Sequence, residues 1–361
     1  MATSPRLGAR YILRALEDAS YGEHILAAAL QLKGPAQKQL FRLACRRRSL
    51  CFPQARVEAR SVLEISNICR QRCNFCGMNR DAGIPRYLIG RADTLHIARQ
   101  VYARGRRVLL IQSGESAAPR FVEHVCRCVQ AVKSAHRDLV VILCLGNLLR
   151  AQYRQLKDAG ADRYILKFET SNPALYRKIK PGDRLSRRVA RIQELIALGF
   201  EVGSGNMVGL PGQTTTDIAR DLLFLSRFKL SMGSSSVFIP GESCRYRGLP
   251  PGDVDMTLNC MALIRIMYPH LLIPATSSLE KLRKGGQFLG LTAGANAVTV
   301  HDGSPARVKK NFPIYSPNRF IPNERHVRAI VRRAGLHFSS DALDRPRGEG
   351  SAYRARLNSR T

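Results

Sequence analysis

Two hydrophobic periods alternate along the chain. Apolar positions recur every three to four residues over about 9–32 and 35–47, which predicts two amphipathic helices at the N-terminus. Beyond them, short β-branched runs alternate with helical periods. The runs are SVLEIS (61–66), RVLLIQ (107–112), LVVILCL (139–145), RYILKFE (163–169), EVGSGNMVG (201–209), SSSVFIP (234–240), LLIPATS (271–277) and NAVTVH (296–301). Helical segments lie between them at 93–104, 119–134, 147–159, 186–199, 214–228, 254–267 and 279–291. Eight strands with helical crossovers predict a parallel α/β fold of the (β/α)8, TIM-type barrel. A doubly wound open sheet is the alternative, and strand count alone does not separate the two. The segment 337–361 is rich in Arg, Ser and Gly and poor in apolar residues, so it is expected to be a disordered, basic tail. The expected division is an N-terminal helical segment (1–55), a barrel (56–336) and the tail (337–361).

Composition narrows the class. With 361 residues and 45% hydrophobic content the chain can fill a large core. No apolar stretch has the length of a membrane span, and the N-terminus lacks the apolar region of a secretion signal, so a soluble, cytoplasmic protein is expected. Ten cysteines without a secretion signal read as reduced thiols. The formal charge of +31, from 58 Lys and Arg against 27 Asp and Glu, points to an anionic partner: nucleic acid, an acidic carrier protein or a carboxylate substrate. An Arg-rich codon bias explains the charge equally well. Nucleic acid is disfavoured because the charge is diffuse and Trp, a stacking platform, is absent.

Chemistry concentrates in ISNICRQRCNFCGMNR (65–80), where Cys69, Cys73 and Cys76 stand at spacings of four and three just after the first expected strand. In a parallel barrel that position is a βα loop on the active-site face. Iron-sulfur clusters are ordinarily held by four thiolates, so three on one short loop leave one iron open to a substrate or cofactor. The competing readings are a structural zinc site and unrelated buried thiols. Zinc would call for a second CxxC pair or nearby histidines, and the loop contains no histidine.

CxxxCxxC with an aromatic residue, Phe75, before its last cysteine resembles the signature of the radical S-adenosylmethionine (SAM) superfamily. The resemblance implies a 4Fe-4S cluster on Cys69, Cys73 and Cys76 whose open iron chelates SAM. It also implies reductive cleavage of SAM to methionine and a 5'-deoxyadenosyl radical that abstracts hydrogen from substrate. An electron donor such as ferredoxin or flavodoxin follows as a partner.

Further stretches, over roughly 40–335, resemble the branch that contains biotin synthase, the hydrogenase maturase HydE and methylornithine synthase: LLIQSGES, GADRYILKFETSNPALYRKIKP, GFEVGSGNMVGLPGQT, FIPGES, IPATSS and AGANAVTV. The resemblance assigns Phe75, Gln112, Ser113, Gly114, Glu115, Lys167, Glu169, Arg188 and Met207 to the cofactor. Lys167 stands where HydE has an Arg, which puts a bidentate carboxylate contact there in doubt. For Arg188 a solvated helix face is the competing reading. Thr276 and Ser277 match polar residues of the HydE substrate cavity, with core packing as the rival.

The other cysteines bear on the reaction. At the second-cluster positions of biotin synthase this chain has Gln112 and Gly203, with Cys144 two residues off register, and no cysteine follows Cys260 to supply a HydE-type accessory cluster. Cys45, Cys51 and Cys244 are candidate ligands of an auxiliary cluster that would donate sulfur, as in lipoyl synthases. A two-protein lipoyl synthase would bring a second radical SAM subunit and a substrate carried on an acidic protein. Cys126 and Cys128 read as structural. The expected activity is therefore radical SAM chemistry for sulfur insertion of the lipoyl or biotin synthase kind. The alternatives are a HydE-like maturase or a methylornithine synthase-like mutase acting on a small molecule and, more remotely, an RNA-modifying or RNA-binding protein.

Overall fold

The computed structural model describes residues 7–344. Eight parallel strands, β1 (Arg56–Ser66), β2 (Val108–Ser113), β3 (Val140–Cys144), β4 (Arg163–Ile165), β5 (Glu201–Val208), β6 (Met232–Val237), β7 (Ala297–Val300) and β8 (His337–Ser339), form one curled sheet. Its order is β6-β5-β4-β3-β2-β1-β7, with β8 also paired to β1. The sheet closes between β6 and β7 through two parallel bridges, Met232 with Leu272 and Pro274 with Ala297. This is the TIM-type arrangement, and the open sheet is excluded.

The strand expected at 271–277 is reduced to those bridges. Pro274 has no N–H to give to a ladder, and Thr276 already serves as the N-cap residue of the next helix. The strand expected over 163–169 stops early as well. After Ile165 the chain still bonds to β5, but it kinks at Glu169, whose φ of 66° is left-handed.

Among the described residues fourteen α-helices accompany the strands: α1 (Ala9–Glu17), α2 (Glu23–Ala29), α3 (Gly34–Cys51), α4 (Arg91–Ala103), α5 (Pro119–Ala135), α6 (Arg150–Asp158), α7 (Pro173–Ile179), α8 (Leu185–Ala197), α9 (Thr215–Phe224), α10 (Val254–Met267), α11 (Ser277–Leu282), α12 (Gly286–Thr292), α13 (Ala306–Lys309) and α14 (Glu324–Arg333). The helix expected over 9–32 is two helices, broken after Asp18 by Ala19 in the left-handed region. α3 and α2 lie against α10 and α9, and Asn259 ties them in by donating to the carbonyls of Leu30 and Leu32.

Both faces of the sheet are buried, as a parallel barrel requires. On β1, Val57, Ala59, Leu63 and Ile65 face the helices, while Glu58, Arg60, Val62 and Glu64 face the interior. The tail expectation is corrected at its start. His337–Ser339 pairs with β1, and Leu343 is buried in the barrel base against Phe52, Val62 and Leu110. Leu343 is held because its N–H donates to Glu58 (2.8 Å), a carboxylate that also takes Arg60 and Arg163. The remainder, 345–361, lies outside the described residues.

Candidate active site

The three cysteines sit on the long loop between β1 and α4, at the C-terminal end of the strands. The loop is irregular, so its backbone groups need other partners, and buried side chains supply them. Asn67 donates to the carbonyls of Pro85 and Asn311 and accepts from the Tyr87 N–H. The Arg86 guanidinium donates to the carbonyls of Asn67, Met78, Asn79 and Ala82, pulling both halves of the loop around itself. Asn79 joins Cys76 to the segment after β6 by donating to the carbonyls of Cys76 and Ser243.

Cys73 is buried and Cys69 and Cys76 are partly so. Burial pushes the Cys73 thiol up to about 11, with Lys180 opposing and Cys69 adding to the rise, and it raises Cys76 further, Cys73 contributing. The three sulfurs are thus near enough to bias one another. Without a metal, Cys73 and Cys76 hold their protons at neutral pH, so a bound metal must displace them.

Among the described residues, no three His, Cys, Asp or Glu side chains converge on a single metal-sized point. A cubane makes a different demand, one thiolate at each of several separate irons. The donors fit such a group: three soft thiols on one loop, with backbone N–H groups of Glu115 and Met78 directed at Cys69 and Cys76 (both 3.4 Å). Hydrogen bonds to the sulfurs and nearby positive charge are the protein's means of tuning an anionic cluster.

Behind the loop lies a buried ionic network. Glu115, 5% exposed, accepts from Arg70 (3.2 Å), Gln71 and the Asn147 N–H (2.8 Å), and Arg188 stands 3.8 Å away. Burial alone would raise the Glu115 carboxyl, but Lys180 and Arg188 bring it below its ordinary value. Asp183 accepts from Tyr176 (2.8 Å) and Asn147 (3.0 Å) and completes the network. Gly114 is required here: a Cβ would strike the Ile68 carbonyl and come within 2.8 Å of the Cys69 Cβ. Gly77 is equally pinned, its N–H donating to Ile314 and its α-carbon facing the Pro313 carbonyl.

Inside the mouth, Glu64 is bound to Arg319, lies 3.4 Å from His301, and accepts from Gln112 (3.4 Å). Burial would raise Glu64, yet His301 and Arg319 leave it below its ordinary value. Lys167 and Glu169 pair at 3.2 Å, both only partly buried. Asp221, wholly buried, takes the Ser171 N–H and hydroxyl and Asn206, which holds the kinked Glu169–Ser171 segment against β5. Left-handed non-glycine backbone costs of order 1–3 kcal/mol and gathers at functional sites.

The structure brings Gln112, Ser113, Gly114 and Glu115 beside the cysteine loop. Met207 joins Phe75 in an apolar cluster with Leu175, Phe238 and Cys244. Arg188 is 3% exposed, so the solvated-face reading of it is excluded. Thr276, which bonds Ser278 (2.9 Å), and Ser277 lie at the start of α11, both partly exposed.

The auxiliary ligand set is corrected. Cys244 is buried near Cys76 and donates to the Gly241 carbonyl, whereas Cys45 donates to Thr292 O and Cys51 packs toward the base of the barrel. The three thiols occupy two distant places and cannot share a cluster. Arg86, Lys180, Asp183, Asn147, Glu64, His301 and Arg319 were not anticipated. The runs NRDAGIPRY and KIKPGD contain the first three, but nothing local distinguishes a buried Arg or Lys from a surface one.

Fold and loop together define a radical SAM enzyme, and the chain belongs to that superfamily: the Radical SAM superfamily model matches residues 63–225. Among curated relatives, the [FeFe] hydrogenase maturase subunit HydE of Thermotoga maritima is 34% identical over 89% of this chain and 91% of its own length. The 3-methylornithine synthase of Methanosarcina barkeri is 26% identical, covering 77% of this chain and 78% of that protein. Among solved structures, methylornithine synthase (PylB) superposes with a TM-score of 0.78 at 24% identity, over 91% of this chain and 97% of that one, a likeness of fold.

Proposed function

We propose that the chain is a HydE-like enzyme that acts on a small substrate held in the mouth of the barrel. The observation that carries this is a juxtaposition. The three-cysteine loop follows β1 at the C-terminal end of the sheet, where the inward Gln112, Ser234, Ser236 and Thr299 and the nearby Thr276 at the start of α11 keep solvent access. A 4Fe-4S cluster bound there would supply the one-electron chemistry that cleaves SAM reductively and so permits hydrogen abstraction from substrate.

The remaining work belongs to the chain. Cys69, Cys73 and Cys76 would hold the cluster. Gln112 to Glu115 would line the methionyl side of SAM, and Phe75 and Met207 would give an apolar wall. Lys167 and Glu169 present a cation and an anion to the zwitterionic methionyl group or the ribose. Thr276 and Ser277 offer hydroxyls to a substrate carboxylate. A small acidic electron donor is the expected protein partner.

Sulfur insertion from a second cluster loses its support with the separation of Cys45 and Cys51 from Cys244, and the likeness to HydE over most of the chain favours the alternative. The test is anaerobic reconstitution with iron and sulfide counting. Four irons per chain, unchanged in a Cys45→Ser/Cys51→Ser/Cys244→Ser variant, with deuterium passing from a labelled small substrate into 5'-deoxyadenosine, are expected. Eight irons, falling to four in that variant, would overturn the reading in favour of sulfur donation.

A further inference from the structure

A surface depression of about 370 Å³ is lined by Cys73 and by the segment after β6 that carries Ser243 and Cys244. Its floor is Cys73, Asn74, Asn79 and Cys244, and its rim carries Arg72, Arg245 and Arg247. Arg72 pairs with Asp81 at 3.2 Å. Arg245 and Arg247 are exposed, and among the described residues neither has a carboxylate within salt-bridge distance. The last turn of α7 borders the same place, since Asn74 and Tyr246 both donate to the Lys178 carbonyl, and it adds exposed Arg177 and Lys178. A concentration of unpaired cations beside a nearly buried thiol is not needed by the fold.

We propose that this depression is the docking surface for a small acidic protein that carries a one-electron redox group at its own surface. The inference rests on the radical SAM reading. One electron leaves the donor and enters the cluster at each SAM cleavage, so the donor is oxidised by one electron and the cluster reduced by one. On that reading SAM and substrate would take the mouth, and Cys73 lines this depression, so a donor seated here would reach the cluster through that thiol. Electron-transfer partners meet through small, transient interfaces, and charge complementarity raises their rate of encounter. The unpaired arginines match an acidic partner, and the surplus of positive charge on the whole chain steers it.

The test uses the reconstituted holoenzyme and an acidic flavodoxin. Its Kd for oxidised flavodoxin is measured at low and high salt, alongside SAM cleavage driven by dithionite and by reduced flavodoxin. Arg245→Glu/Arg247→Glu should weaken binding by about tenfold or more, flatten its salt dependence and slow only the flavodoxin-driven reaction. Lys38→Glu/Arg42→Glu on α3, an equal change of net charge elsewhere, should leave binding unaltered. Unchanged binding in the first variant, or equal weakening in both, would overturn the docking surface. Absence of dithionite-driven cleavage in the wild type would instead sink the radical SAM reading itself.

Discussion

The two ends of the barrel are built from the same strands to opposite purposes. At the base, Val62, Leu110, Ile142, Met232 and Leu272 fill the interior, Phe52 and Leu343 cover it, and Glu58 is closed in by Arg60 (2.7 Å), Arg163 (2.9 Å) and the Leu343 N–H. At the mouth, the same strands turn inward Glu64, buried against Arg319 and His301, and Gln112, Ser234 and Ser236, which retain access to solvent, and the long irregular loop between β1 and α4 lies at this end. The difference teaches that stability and chemistry are separable here. The base is sealed by apolar volume and compensated charge, while the mouth is held by side chains that serve loop backbone, a division familiar in barrels.

Six substitutions at four places test that separation. The largest effect is expected from Cys69→Ala, Cys73→Ala or Cys76→Ala: cluster iron and SAM cleavage should both fall to background, while the unfolding transition of the metal-free protein stays within about 1 kcal/mol of the parent, as expected for a thiol with little core role. Glu58→Gln should do the reverse. It removes the carboxylate paired with buried Arg60 and leaves Arg163 with Glu201 alone, so a loss of about 3–5 kcal/mol is expected in urea unfolding, with iron uptake per folded chain preserved.

Gly114→Ala touches no ligand but forces a methyl against the Ile68 carbonyl and Cys69. A cost of about 1–3 kcal/mol is expected, appearing chiefly as weaker cluster retention during chelator challenge. The smallest effect concerns Asp255, which links the start of α10 to Arg283 (2.7 Å) and to Lys33. The Arg283 hydrogen bond, against burial, brings its carboxyl down to about 2. A depressed folded-state value adds stability that is present above the ordinary aspartate range and lost as pH falls from about 4 to about 2. Asp255→Asn should flatten the acid limb of a pH-stability profile by less than about 1 kcal/mol, the pair being partly exposed, and leave the mouth unaffected.

Much of the frame was legible because a barrel repeats a simple signal. β1, β2, β3, β5, β6 and β7 were visible as apolar runs, and the crossover helices by their period. What failed did so for local reasons. Pro274 cut the seventh run to two bridges, Ala19 split the first helix, and the strand at His337–Ser339 is too short and polar to be seen without its partner β1.

The site divided in the same way. Cys69, Cys73 and Cys76 stand out by spacing, and Gly114 only by the resemblance of its run to a loop of related enzymes. Glu115 was legible as a site residue but not as the hub of a network with Arg70, Gln71, Asn147 and Arg188, since burial and pairing are made by elements far apart in sequence. The auxiliary thiols misled for the matching reason: Cys45 and Cys51 are close to each other in sequence, but only the fold shows that Cys244 is at the other end of the barrel.

The central claim is that three thiolates leave one iron of a four-iron cluster open to SAM at the mouth. Electron paramagnetic resonance of the anaerobically reconstituted, dithionite-reduced protein, recorded with and without SAM, tests it most directly. A reduced four-iron cluster signal that changes shape when SAM is added is the predicted result. A signal indifferent to SAM, or a protein that takes up zinc and no iron under the same conditions, would contradict the account.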